Sequence, residues 1–227
     1  MRDVFGVKDS VATQGEKAPA KARAEDRNTG RKVSMCRTVS RSFERRVCSE
    51  IFLEDSLPWH FVPGEAYHCF SFGDVDAITY LRAVLKQQPL EYVCLSTFSM
   101  AMTDAETLMK WHRVGLIRHI DLYLGEIFDS KFADVYNTLA TFVREAGGRV
   151  AVFRNHSKVI AGFGDRFDFV VEGSANLNSK PRCEQTVITL DSGLARFYKE
   201  EVFDSIKSFN KDYDDWKPYK LKRDDNI

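Results

Sequence analysis

Apolar and polar positions along the chain predict strands and helices in regular alternation from residue 66 onward. Short runs rich in β-branched and aromatic residues are typical of strands, and apolar residues recurring every three to four positions are typical of helices. Strands are expected at 66–72, 90–98, 119–125 and 149–153, and the clearest helix at about 129–146. This order predicts an α/β fold with a mixed, mainly parallel sheet that is flanked by helices on both faces.

The pattern changes after residue 153. Two apolar runs on either side of Gly164-Asp165 predict a β-hairpin, and residues 184–190 predict one further strand. Leu194, Tyr198, Val202, Ile206 and Phe209 mark one face of a last helix. Thr103 and Glu106 are expected to form a capping box at an earlier helix. The chain thus divides into an N-terminal tail (1–50), an α/β domain (51–210) and a polar C-terminal tail (211–227).

Composition agrees with a globular domain, and charge sets the N-terminal tail apart. Of the 227 residues, 44% are hydrophobic and 12% aromatic, with equal numbers of acidic and basic residues. Residues 1–46 carry 12 Lys and Arg against 6 Asp and Glu, so the rest of the chain is acidic. With low hydrophobicity and no sustained period, the tail is expected to be disordered. Its basic surplus is compatible with binding nucleic acid, and equally with a solvated segment.

The five cysteines are scattered and show no metal-like pairing, which favours reduced thiols and a cytoplasmic location. No apolar run has the length of a membrane span, so no membrane partner is expected. No Asp and His cluster has metal-ligand spacing, and neither a metal nor a cofactor is expected.

Polar groups with reactive chemistry flank the predicted hairpin. His156 and Lys158 lie two residues apart, so their side chains share one face of a strand. Ser174 and Asn176 follow the partner strand, and Glu184 begins the next. An imidazole can attack phosphorus or carry a proton, while an ammonium and an amide can hold phosphate oxygens. Glu184 is expected to accept a hydrogen bond from the imidazole and fix its tautomer.

The pair of segments His-Ser-Lys and Gly-Ser-Ala-Asn resembles the signature of the phospholipase D superfamily. The order of strands and helices over 66–209 is also similar to that fold. The resemblance implies that His156 is a nucleophile forming a phosphohistidine and that Lys158 and Asn176 bind phosphate. It further implies that Ser174 assists and that Glu184 orients the imidazole.

The resemblance is incomplete at one position and in one length. The family usually carries an aspartate where this chain has Phe163, and Asp165 and Asp168 are the nearby carboxylates that could replace it. Fourteen residues separate Lys158 from Gly173, three more than the family pattern. These departures keep open a second hypothesis, a catalytically inactive module that binds nucleic acid or a protein.

The chain carries one copy of the motif, whereas the family's chemistry uses two histidines. Family members with a single copy form homodimers that share a site, and they resemble nucleases more than lipid hydrolases. The resemblance therefore implies a homodimeric, metal-independent phosphodiesterase acting on nucleic acid, with DNA favoured. A phospholipid hydrolase or transferase is the third hypothesis.

Further polar residues are expected to contact the substrate. Ser96, Thr97 and Ser99 follow the end of a predicted strand, and ligands favour the carboxyl ends of such strands. Asn178 lies in the loop after the motif and is a candidate for contacting a backbone phosphate, although a solvated loop is the alternative.

Overall fold

A computed structural model describes residues 51, 53, 56–72, 75–178, 182–210 and 216–226. The predicted disordered tail at 1–50 and residues 211–215 of the predicted C-terminal tail lie outside the described residues.

In the described part of the chain, seven strands form a single mixed sheet. They are β1 Ala66–Ser71, β2 Leu90–Thr97, β3 Ile117–Gly125, β4 Val150–Phe153, β5 Val159–Gly164, β6 Asp168–Gly173 and β7 Glu184–Thr189. Their order across the sheet is β1-β7-β6-β5-β2-β3-β4. Strands β2, β3 and β4 pair in parallel, and the remaining neighbours pair antiparallel. All strands except β5 and β7 therefore run in the same direction.

Helices cover both faces of the sheet, which confirms the predicted α/β class with a mixed sheet. Two of the six pairings between the described strands are parallel, fewer than the mainly parallel sheet that was predicted. They are α1 Ala77–Leu85, α2 Met102–Arg113, α3 Ala133–Glu145 and α4 Ser192–Arg196, and α4 continues as a π-helical segment over Phe197–Phe203. The first face packs under α1, α2 and α3. The second face, with Tyr92, Tyr123 and Phe163, packs under α4 and the π-helical segment.

The capping box predicted at Thr103 and Glu106 is wrong. Helix α2 begins at Met102, and the Asp104 carboxylate accepts a hydrogen bond from the Ala101 backbone N–H at 3.0 Å. Asp104 is fully buried. Its carboxylate accepts the hydrogen bond of a backbone N–H that has no carbonyl partner within the helix, and the capping residue is neither serine nor threonine.

The predicted hairpin is formed by β5 and β6, and its turn is held by Gln88. The Gln88 side chain donates to the carbonyl oxygen of Phe167 at 2.6 Å and accepts from the Arg166 N–H at 2.8 Å. This turn lies at the far end of β5 from Lys158, about 20 Å away at the usual rise per residue. The extra length noted in the sequence thus lies at the end of the hairpin opposite His156, Lys158 and Ser174.

Phe163, at the position where the family pattern has an aspartate, lies in the apolar core of the second face. Its ring is fully buried, and its cross-strand partner is Asp168. Asp168 is also buried and forms an ion pair with Arg223 at 2.5 Å. The neighbouring strand therefore places a buried carboxylate directly beside Phe163. This carboxylate binds Arg223, which lies near the C-terminal end of the chain.

The described part of the predicted C-terminal tail packs on the second face rather than lying loose. Leu221 is fully buried, and the Tyr219 ring stacks on His119 at 4.2 Å between centroids. The Trp216 ring lies 4.0 Å from the Arg149 guanidinium carbon. These contacts could not be predicted from the polar composition of 211–227. Each depends on a single apolar or aromatic residue, and these residues do not recur at a helical or strand period.

We expect Leu221→Ala to lower the free energy of unfolding by about 2–5 kcal/mol, because a buried leucine is replaced by a cavity. Urea unfolding followed by circular dichroism measures this change. The control is Lys220→Ala at an exposed neighbour, which should stay within about 0.5 kcal/mol of the wild type. Equal stability of the two variants would show that this segment does not pack on the sheet.

Candidate functional site

The polar groups of the two half-motifs meet at one edge of the sheet. The carboxyl ends of the co-directional strands β2, β3, β4 and β6 lie there, together with the starts of the opposed strands β5 and β7. His156 and Lys158 precede β5, Ser174 and Asn176 follow β6, and Glu184 begins β7. The hairpin thus brings both half-motifs to the edge where ligands of α/β sheets usually bind.

His156 is exposed and is contacted by Lys158 and Phe98. The Lys158 Nζ lies 3.3 Å from His156 Nδ1 and donates to the His156 carbonyl oxygen at 2.5 Å. The Phe98 ring packs against the imidazole with centroids 4.8 Å apart. Phe98 was not singled out in the sequence, although it directly follows β2, where Ser96 and Thr97 were.

The contact between Lys158 and His156 is compatible with one tautomer of the neutral imidazole. An ammonium group has donors and no acceptor. It can therefore donate to Nδ1 only when that nitrogen carries no proton, as in the tautomer that is protonated on Nε2.

Lys158 is half-buried, and this burial has an electrostatic consequence. Desolvation lowers the pKa of its ammonium group, while the charge of Glu184 acts in the opposite direction. The cation also lies 5.8 Å from the centre of the Phe98 ring. A partly desolvated cation at a sheet edge gains more from an arriving anion than a fully solvated one does.

Ser174 and Glu184 form a hydrogen-bonded pair across β6 and β7. The Ser174 hydroxyl donates to Glu184 Oε2, and its oxygen accepts from the Gln185 N–H at 3.1 Å. Glu184 is 9% exposed. Among the described residues no hydrogen bond joins Glu184 to His156, so within one protomer the carboxylate holds Ser174, and its role toward an imidazole stays a prediction.

Asn176 and Thr97 join the loop after β6 to the loop after β2. Asn176 Oδ1 accepts from the Phe98 N–H at 3.2 Å and from the Thr97 hydroxyl at 3.4 Å. The Thr97 hydroxyl is fully buried and also accepts from the Leu177 N–H at 3.3 Å. Thr97 therefore links the loop after β2 to the loop after β6, and its buried hydroxyl is not at the surface where a substrate could reach it.

Of the other residues predicted to contact substrate, Ser99 and Asn178 contact each other. The Ser99 hydroxyl donates to the Asn178 carbonyl oxygen at 3.2 Å. Ser96 is 2% exposed and lines a narrow pocket with Lys158, Gly173 and Thr186. Among these four residues, only Ser96 lines this described pocket together with Lys158.

Asn155 is a functional candidate that the sequence reasoning missed. It is buried, and its amide nitrogen donates to Ser96 Oγ and to the Tyr123 carbonyl oxygen, each at 2.9 Å. Its amide oxygen accepts from the N–H and the hydroxyl of Ser157 at 2.9 and 2.7 Å. The two residues that flank His156 are thereby fixed to β2 and β3. The available signal was only that an amide side chain precedes the histidine.

No group of three or more His, Cys, Asp or Glu side chains within the described part of the chain is placed to hold a metal ion. Across the same residues, no helix has the length and apolar character needed to cross a membrane.

No protein-family model matches the chain, and no curated protein matches it. A similar solved structure is phosphatidylserine synthase from Haemophilus influenzae Rd KW20, at 12% identity and a TM-score of 0.45, over 60% of this chain and 37% of that one. Another is polyphosphate kinase from Porphyromonas gingivalis, at 12% identity and a TM-score of 0.41, over 56% of this chain and 23% of that one. The matched region spans less than half of either of these two proteins, and both TM-scores are below 0.5.

We expect Asn155→Ala to lower the free energy of unfolding by about 1–3 kcal/mol, because its removal leaves buried polar groups without partners. Urea unfolding measures the loss. Arg154→Ala is the matched control, since Arg154 directly precedes Asn155 in the chain and is exposed. A destabilisation of the same size in both variants would contradict the positioning role of Asn155.

Proposed function

We propose that the chain is a metal-independent phosphodiesterase that cleaves nucleic acid, with DNA favoured, as a homodimer and through a phosphohistidine. The observation that carries this proposal is the exposed His156 imidazole, held 3.3 Å from the Lys158 ammonium at the carboxyl edge of the sheet. A nucleophile beside a cation at such an edge is suited to attack an anionic phosphate.

The proposed reaction balances in two steps. In the first, a ring nitrogen of His156 forms a bond to phosphorus while the bond between phosphorus and the leaving oxygen breaks. The leaving oxygen takes a proton from the imidazolium of His156 in the second protomer. In the second step that imidazole takes a proton from water, the water oxygen attacks phosphorus, and the bond from nitrogen to phosphorus breaks.

Substrate binding also releases the nucleophile in this scheme. Lys158 covers Nδ1 in the free site, and the attacking nitrogen needs an unshared lone pair. A phosphate oxygen forms a stronger, charge-assisted hydrogen bond with an ammonium than a neutral imidazole nitrogen does. A bound phosphodiester therefore draws Lys158 away and leaves Nδ1 free at the moment when the phosphorus is in place.

The position of the sequence departures supports an active enzyme over an inactive binding module. Phe163 is buried in the core of the second face, and the lengthened turn is held by Gln88 at the far end of the hairpin. Neither departure lies among the groups around His156. The basic surplus of residues 1–46 supports a polyanionic substrate.

We expect hydrolysis of DNA to continue in excess EDTA and to be abolished in His156→Ala. Covalent and acid–base catalysis each contribute orders of magnitude, so the loss of the nucleophile should leave only background. Gel assays with plasmid and single-stranded DNA measure both effects, with Arg154→Ala as the control for the surface charge of the same loop. Inhibition by EDTA together with an active His156→Ala would refute the mechanism. Cleavage of neither DNA, RNA nor phospholipid by the wild type would favour the inactive module.

We expect the active species to be a dimer in which both protomers supply His156. When equal amounts of wild type and His156→Ala are mixed and allowed to exchange subunits, about one quarter of the dimers keep both histidines. Activity should then fall to about one quarter of that of an undiluted wild-type sample, whereas two independent sites would retain about half. Sedimentation of the active protein as a monomer at micromolar concentration would remove the shared site.

A further inference from the structure

The end of β1 carries a hydroxyl group for which neither the fold nor the proposed reaction gives a role. Ser71 is the last residue of β1, and its Oγ is buried without a hydrogen-bond partner among the residues that the structure describes. A buried polar atom without a partner costs free energy, and it is rare enough in folded proteins to require an explanation.

The sheet register places this hydroxyl beside Glu184. Strands β1 and β7 pair antiparallel with Ser71 directly opposite Glu184. Side chains of directly opposite residues lie on the same face, with Cβ atoms about 4.5–5.5 Å apart. Tyr67 and Cys69 pack on the first face of the sheet. Ser71 is two residues beyond Cys69 in the alternation of β1, so its side chain is on the same face. Its hydroxyl and the Glu184 carboxylate are therefore within reach of each other by side-chain rotation.

The hydrogen-bond donor of Glu184 is Ser174, the residue that the family resemblance expects to assist the reaction. Ser174 donates to Glu184 Oε2, and Oε1 receives no hydrogen bond from a described residue. If Ser174 turns to a phosphate oxygen, the carboxylate loses its hydrogen-bonded partner while it stays largely buried. A buried carboxylate without a donor is driven toward its neutral form.

We infer that Ser71 is a positioning residue of this site, and that its hydroxyl donates to Glu184 when Ser174 turns toward the phosphate. The two serines then act in alternation, so that the Glu184 carboxylate keeps a hydrogen-bond donor in both the free and the occupied site. The inference rests on the proposed function for the reason that Ser174 moves. The availability of Ser71 to Glu184 follows from the register alone.

The test uses Ser174→Ala to imitate the site from which Ser174 has turned away. The pKa of Glu184 is measured by side-chain carbon NMR in the wild type, in Ser174→Ala, and in that variant combined with Ser71→Ala or Ser71→Thr. We expect Ser174→Ala alone to change this pKa little, because Ser71 takes over. Adding Ser71→Ala should raise the pKa of Glu184 by about 1–2 pH units, which is the effect of losing a hydrogen bond to a charged group. Ser71→Thr, which keeps the hydroxyl, should restore the value.

Stability separates this role from simple packing. Ser71→Ala removes a buried hydroxyl without a partner, so it should leave thermal stability equal or higher. A pKa of Glu184 that is the same with and without Ser71→Ala, in the Ser174→Ala background, would overturn the inference.

The NMR measurement needs neither substrate nor activity. It therefore tests the role of Ser71 even if the protein cleaves nothing. If the wild type is active, Ser71→Ala should lower kcat about tenfold or more with an unchanged KM. It should also move the acid limb of the pH–rate profile to higher pH, because the carboxylate then protonates more readily. An unchanged pH profile in an active Ser71→Ala variant would equally count against the inference.

Discussion

The arrangement of the site depends on the close approach of three strand ends at Gly173. A Cβ atom at this position would lie 2.5 Å from the Gln185 carbonyl oxygen, so any other residue would push β6 away from β7. The Gly173 N–H also donates to the Lys158 carbonyl oxygen at 3.3 Å, and the next N–H, that of Ser174, donates to Gln185 at 3.0 Å. One residue without a side chain thereby sets the separation of Lys158, Ser174 and Glu184.

Much of the fold and the outline of the site could be predicted from the sequence, because both rest on local patterns. Short runs rich in β-branched and aromatic residues indicated the strands, and the stripe within 129–146 indicated α3, which spans Ala133–Glu145. The spacing of His156 and Lys158, and of Ser174 and Asn176 after Gly173, placed both half-motifs at strand ends. The structure brings Lys158 to His156 and Glu184 to Ser174 as direct neighbours.

The remainder depends on contacts between distant parts of the chain, which leave no local pattern. Asn155 gains its role from Ser96 and Tyr123, 59 and 32 residues earlier. Ser71 lies beside Glu184 only because β1 pairs with β7. Thr97 was expected at the substrate and instead joins two loops, since a hydroxyl at a strand end can serve either purpose.

The insertion of β7 between β1 and β6 has a consequence for the order in which the protein is made. The first strand has no partner in the sheet until residues 184–189 have been synthesised, more than a hundred residues later. During that interval the nascent chain presents an unpaired strand end with Phe70 and Phe72, residues that are 65% and 72% exposed even in the folded protein. Unpaired edges with apolar side chains promote association between chains. The yield of folded protein in a cell should therefore depend on how quickly the ribosome reaches the seventh strand.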